Sequence, residues 1–160
     1  MKSQESKAEE KGVTVLSASV HINKSPEEVW ETVKHLEDIQ KFHPLIKSSC
    51  MTTENKSGNE SQRLCKLKPM GEMHERISNW KELYGFTTEV IDGKSLPPYV
   101  FMKGDLSLSS KDSGTLVTFT FSYKLKYGWM GRVLNTVFIK SQFKKAPGKY
   151  VNGLKEYLMR

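Results

Sequence analysis

What the chain lacks narrows it first. No apolar run approaches the roughly 20 residues of a membrane-spanning helix, so the sequence gives no reason to expect an integral helical membrane protein. Only two cysteines occur in 160 residues, too few for a disulfide-built scaffold. A single domain of this length buries about 68–70 % of its unfolded surface without such staples, and both thiols are expected to be reduced. The opening MKSQESKAEEKG has no apolar centre of the kind a secretory signal needs. It predicts a cytoplasmic protein with a flexible tail over residues 1–12 and one domain over 13–160. Also missing are Gly-x-Ser-x-Gly, a phosphate-binding glycine loop and His-Glu-x-x-His, which removes the commonest hydrolytic routes.

Acidic side chains are nearly absent from the last stretch. Residues 128–160 carry Arg132, Lys140, Lys144, Lys145, Lys149, Lys155 and Arg160 against Glu156 alone, which accounts for +6 of the net +7. Such a balance attracts nucleic acid or an anionic membrane. Nucleic acid is set aside, because the basic residues do not alternate with aromatics on strands and neither a zinc-finger spacing nor an RNA-recognition signature occurs. The plain alternative is the solvated face of an amphipathic helix.

What is present in that stretch is helical spacing of apolar residues: Met130, Val133, Leu134, Val137 and Phe138, then Tyr150, Val151, Leu154 and Leu158. Just upstream, residues 115–127 alternate Val117, Phe119, Phe121, Tyr123 and Leu125 with Thr118, Thr120, Ser122, Lys124 and Lys126, the period of a half-buried strand. Strand and helix are expected to cover each other. Pro147-Gly148 interrupts the helix, and the stripes on its two sides are out of phase, with Ile139 and Phe143 on the far side of the first piece. This predicts a break between Lys144 and Gly148, the first piece closing a cavity and the second packing on the sheet.

Nearer the start, residues 13–22 alternate Leu16, Ala18, Val20 and Ile22 with Ser17, Ser19 and His21, giving a first strand. Ser25-Pro26-Glu27-Glu28 then joins a capping box to a proline at the first helical position, and Val29, Trp30, Val33 and Leu36 supply the buried stripe. A second short helix is expected from Asp38, ending before Pro44. Turns at 55–59, 69–71, 92–98 and 111–114 divide the middle into strands 46–54, 60–68, 73–83, 84–91, 99–109 and 115–127. Seven strands, six of them consecutive and hairpin-connected, predict an antiparallel sheet in an α+β domain.

The order of strand, two short helices, six antiparallel strands and one long terminal helix resembles the helix-grip fold, a curved sheet wrapped around its last helix. The stretch from Ala18-Ser19-Val20-His21-Ile22 through Ser25-Pro26-Glu27-Glu28-Val29-Trp30 resembles the opening of the START-like (SRPBCC) superfamily, particularly its polyketide cyclase/dehydrase branch. Glu75-Arg76-Ile77 and Gly114-Thr115 are similar to the same branch. The resemblance covers roughly Val13 to Leu158 and implies a cavity between sheet and helix for an apolar or amphipathic molecule. Plant hormone receptors of this superfamily imply that Glu75 points inward. Period two then carries Met73, Ile77 and Asn79 with it and turns Arg76 and Trp80 outward. By the same reasoning Phe86, Thr88 and Val90 face in, as do Phe119, Phe121 and Tyr123, while the helix contributes Val133, Val137 and Ser141. The plain alternative is that these aromatics fill an ordinary core.

Pairing symmetric about Ser57-Gly58 and Pro69-Met70 would align Cys50, Cys65 and His74 in a row fit for a soft metal. A three-residue loop at 69–71 pairs Cys65 with Glu75 instead and leaves two plain buried thiols. No fourth ligand is evident, and neither metal nor cofactor is expected.

The functional expectation is a monomeric binding or carrier protein for a hydrophobic or amphipathic small molecule, such as a lipid, an isoprenoid or a polyketide-like compound. A second reading is a cyclase or dehydratase with Glu75 as base and Tyr123 polarising a carbonyl. A third is a carrier docked on anionic membrane through its basic helix, since Phe42-His43-Pro44 followed by Ser48-Ser49-Cys50 resembles the coenzyme Q-binding branch. A fourth is an interaction module that uses its basic surface and leaves the cavity empty.

Overall fold

The structure is a computed structural model that describes residues 10–160; most of the expected tail lies outside the described residues. Its strands are β1 (Val13–Ile22), β2 (Ile46–Met51), β3 (Gln62–Leu67), β4 (Glu72–Lys81), β5 (Gly85–Lys94), β6 (Tyr99–Lys111) and β7 (Gly114–Leu125). They form one antiparallel sheet in the order β1-β7-β6-β5-β4-β3-β2. The consecutive strands from β2 to β7 are hairpin neighbours, and β1 joins the far edge by pairing with β7.

Between β1 and β2 lie helix α1 (Pro26–Val33) and a 3₁₀ helix at Leu36–Lys41. The capping box is formed: the Glu28 amide donates to Ser25 Oγ at 3.2 Å and the Ser25 amide to Glu28 Oε2 at 2.9 Å. Such a cap is worth about 1 kcal/mol and fixes where the helix starts. Its buried face, Val29, Trp30 and Val33, joins a core with Ile22, Ile77, Phe86, Leu106, Leu108 and Val117 from the sheet.

After β7 the chain runs through α2 (Gly128–Leu134), a wider π-type turn (Asn135–Ile139) and α3 (Lys140–Phe143), then breaks and resumes as α4 (Ala146–Leu158). The break falls where the sequence predicts it. Pro147 sits in the first turn of α4, where an amide would have no intrahelical partner, so it costs no hydrogen bond. Helix α4 buries Pro147, Tyr150, Val151 and Leu154, and packs against β1 and β7. At Gly153 it crosses the 3₁₀ segment so closely that a Cβ would lie 2.0 Å from the Phe42 carbonyl oxygen.

The first piece of the terminal helix is turned the other way from expectation. Gly131 is buried and Asn135, Ile139 and Phe143 are half-buried, one residue per turn, so these face the sheet. Val133, Val137 and Ser141, expected to close the cavity, are exposed together with Trp129, Met130, Leu134 and Phe138. Two local constraints set this rotation. A Cβ on residue 131 would lie 2.1 Å from the Lys126 carbonyl oxygen, so only glycine lets the helix start so close to the end of β7. One turn on, Asn135 accepts from the Tyr123 hydroxyl at 2.5 Å and donates to Thr14 Oγ1 at 2.8 Å.

A second correction concerns the end of β4. Its pairing with β5 shifts between Ser78 and Lys81, where Asn79 takes a left-handed conformation with φ 51°. A bulge of this kind reverses the side-chain alternation beyond it. Asn79 is therefore exposed, donating to Thr87 Oγ1 at 3.3 Å. Trp80 turns into the core, 4.9 Å from Trp30 and stacked on Phe86 at 5.3 Å between ring centres.

Candidate ligand-binding site

Ahead of the bulge the expected alternation holds. Glu75 and Ile77 are buried on the inner face of β4, with Met73 half-buried beside them. Phe86 and Thr88 are buried and Val90 half-buried on β5, while Phe119 and Phe121 are half-buried and Tyr123 fully buried on β7. The sheet thus brings together Met73, Glu75, Ile77, Phe86, Thr88, Val90, Phe119, Phe121 and Tyr123, and leaves Asn79, Val133, Val137 and Ser141 outside. Phe119 stacks on Tyr150 of α4 at 4.3 Å, and Phe143 meets Phe121 and Tyr123 edge-on at 5.4 and 5.2 Å.

Glu75 is answered by a residue the sequence reading did not single out. Arg63 on β3 donates from Nε to Glu75 Oε2 at 2.7 Å, with the two side chains only 5 % and 7 % exposed. Its Nη1 donates to the Leu36 carbonyl at 2.7 Å, tying the pair to the start of the 3₁₀ helix. Burial alone disfavours a charged guanidinium, but Glu75 together with the neighbouring Cys65 and Tyr150 more than offsets it, so Arg63 titrates above its ordinary value and stays ionised. The available signal was chemical: an inward carboxylate requires a cation on the same face, and Arg63 shares the parity of Cys65 one strand away.

Among the described residues no fully buried side-chain nitrogen or oxygen lacks a hydrogen-bond partner. The Cys65 thiol lies 3.6 Å from both Glu75 Oε2 and Ser49 Oγ, and burial pushes its pKa up to about 12, so it remains a thiol. Tyr150 is buried and its phenol titrates above the usual range for the same reason. His43 packs edge-on against Tyr150 at 5.6 Å and accepts from the Leu45 amide at 3.3 Å. Burial, with the positive charges of Arg63 and Lys149, lowers its pKa to about 4, so it is neutral near pH 7.

The observed registers separate the cysteines. Cys65 stands opposite Ser49 and Met73, while Cys50 and His74 both stand opposite Leu64. Both hairpins are thus displaced from the symmetric pairings, and the row of Cys50, Cys65 and His74 is not assembled. No group of three or more potential metal ligands exists among the described residues.

Outside the sheet face, a surface cleft of about 600 Å³ lies between the 3₁₀ segment and α4, lined by Phe42, His43, Lys68, Lys145, Lys149 and Arg160 among others. It is open to solvent, and its charged lining residues are Lys41, Lys68, Lys145, Lys149 and Arg160 against Glu156.

Residues 13–158 match the family model described as polyketide cyclase / dehydrase and lipid transport. The chain belongs to this family. The match spans the whole sheet and the terminal helix through Leu158. Among solved structures, a major latex-like protein from Panax ginseng superposes with TM-score 0.76 at 12 % identity, covering 93 % of this chain and 99 % of that one. A protein from Thermus thermophilus gives 0.75 at 17 % identity, with coverage of 91 % and 97 %. A START superfamily protein from Mycobacterium smegmatis gives 0.65 at 15 %, with coverage of 90 % and 93 %. At these identities the likeness is one of fold: the seven-stranded helix-grip architecture of the START-like superfamily. No curated protein matches the sequence.

Proposed function

We propose that this family member binds an apolar or amphipathic small molecule on the concave face of its sheet and performs no chemistry on it. The observation that carries this reading is the incomplete cover of that face. Met73, Val90, Phe119 and Phe121 point inward yet remain only half-buried, beside a helical piece that offers the sheet a narrow strip of Gly131, Asn135, Ile139 and Phe143. Apolar walls with few polar groups are what small-molecule sites are made of. The family's description, which includes lipid transport, supports the same ligand class. Unbridged Cys50 and Cys65 support a reducing, cytoplasmic setting.

The cyclase or dehydratase reading has less support. Glu75 Oε2 is engaged by Arg63 and Cys65, and taking up a proton there would break the ion pair. The Tyr123 hydroxyl already donates to Asn135. Strands β4 and β7 are separated by β5 and β6, so the two groups stand roughly 14 Å apart along the sheet.

Native mass spectrometry of the protein purified from cells is the direct test, together with melting curves against a panel of lipids, isoprenoids and polyketides. A retained apolar ligand, or a panel member that raises Tm, is the expected result. Phe121→Ala removes apolar contact worth about 1–2 kcal/mol and is expected to weaken that binding roughly tenfold. Absence of any retained ligand together with an inert panel overturns the proposal.

A further inference from the structure

The outward stripe of the first helical piece has no role in the core or in the sheet site. Trp129 is 68 % exposed and Phe138 61 %, with Met130, Val133, Leu134 and Val137 exposed between them. These residues recur at helical spacing and form one apolar band along residues 128–138. The opposite face of the same helix is already committed, through Gly131, Asn135 and Phe143, to β7 and β1. Turning the band inward would break the Asn135 bonds and drive the helix into the Lys126 carbonyl.

The surroundings of the band carry charge of one sign. Between Asp112 and Glu156 the sequence contains no carboxylate side chain. Lys126, Arg132, Lys140, Lys144 and Lys145 lie along or beside it, and none takes part in an ion pair among the described residues.

We propose that this face docks the protein on an anionic phospholipid bilayer, the helix lying in the plane of the interface with its apolar band among the acyl chains. An amphipathic helix with tryptophan, phenylalanine and leucine on one side and lysine and arginine beside it is suited to that environment. A protein partner fits less well, because lysine is depleted at protein interfaces whereas anionic lipid recruits it. At about 1.5 Å per residue the 16 residues from 128 to 143 extend roughly 24 Å. That length lies on a bilayer rather than crossing it, and no described helix is long and apolar enough to span.

The test is flotation with vesicles of phosphatidylcholine containing about 30 mol% phosphatidylserine, compared with phosphatidylcholine alone, at low and high salt. Binding is expected only to the anionic vesicles, weakened by salt, with a blue shift of the Trp129 emission. The shift is assignable because Trp30 is buried and Trp80 is packed in the core. Lys140→Gln and Lys144→Gln are each expected to lower the partition coefficient roughly fivefold. Val137→Ser with Phe138→Ser, at exposed positions that the core does not use, is expected to abolish the blue shift while leaving Tm unchanged.

Failure to bind anionic vesicles overturns the proposal. So does binding that survives Val137→Ser with Phe138→Ser, since the apolar band would then be idle. A concentration-dependent dimer that buries Trp129, seen by sedimentation, without vesicle binding assigns the face to a second copy instead. None of these outcomes bears on cargo binding, which the retained ligand reports separately.

Discussion

Arg63 and Glu75 are both charged and both nearly out of contact with water, and the pair holds its place through two strong hydrogen bonds: Nε to Glu75 and Nη1 to the Leu36 carbonyl. Removing one partner strands the other. Arg63→Met or Glu75→Leu alone is expected to cost about 3–5 kcal/mol in urea unfolding, while the two together lose much less than the sum. Additive losses would show that the pair is not coupled. His43 provides a pH-dependent counterpart. Its folded value of about 4 lies below the ordinary 6.5, so the unfolded chain takes up the proton first as pH falls. The His43 contribution is therefore intact above pH 6.5 and declines as pH falls toward 4, by about 3 kcal/mol at most. His43→Asn, which keeps an acceptor near Nδ1 without a titrating ring, is expected to flatten that part of the stability profile against wild type. An unchanged slope would mean that other groups set it.

At the scale of elements, the two halves of the terminal helix differ in what holds them. Helix α4 is anchored by four buried side chains, whereas residues 128–143 rest on Gly131, two hydrogen bonds of Asn135 and the Phe143 ring. Asn135→Ala is therefore expected to raise amide exchange across 128–143 while leaving α4 protected, at a cost of about 1–2 kcal/mol. Equal exchange in both halves would contradict this division. The break itself was legible, because proline chemistry acts locally at Pro147. The rotation of the first half was not, because it depends on how close one glycine lets the helix come to Lys126, and no periodicity encodes that distance. The fate of Asn79 and Trp80 has the same character. Alternation predicts their faces only while the ladder stays regular, and a single left-handed residue exchanges them.

At the scale of the molecule, the architecture was readable because local signals agree: the Ser25 cap, the turn residues between strands and the alternation in β7 all point to one curved sheet gripping a helix. Once the family resemblance set Glu75 inward, period two carried the inward positions on β4, β5 and β7 except Asn79, so most of the sheet's share of the candidate site was legible. Its polar floor was not, since pairing Glu75 with Arg63 required a β3 register that the turns at 57–58 and 69–71 leave open to slippage.

The sheet order carries a consequence for how the chain assembles. Among the described residues strand β1 finds its only ladder partner in β7, with Val13 opposite Lys124, about 110 residues along the chain. The hairpins from β2 to β7 zip up from neighbouring segments, but β1 waits for the loop through all of them to close. On a ribosome, β1 and the α1 helix behind it emerge well before β7 and are completed late. In the interval the alternating Leu16, Ala18, Val20 and Ile22 are an unpaired strand edge, the segment of this chain with most need of a folding helper.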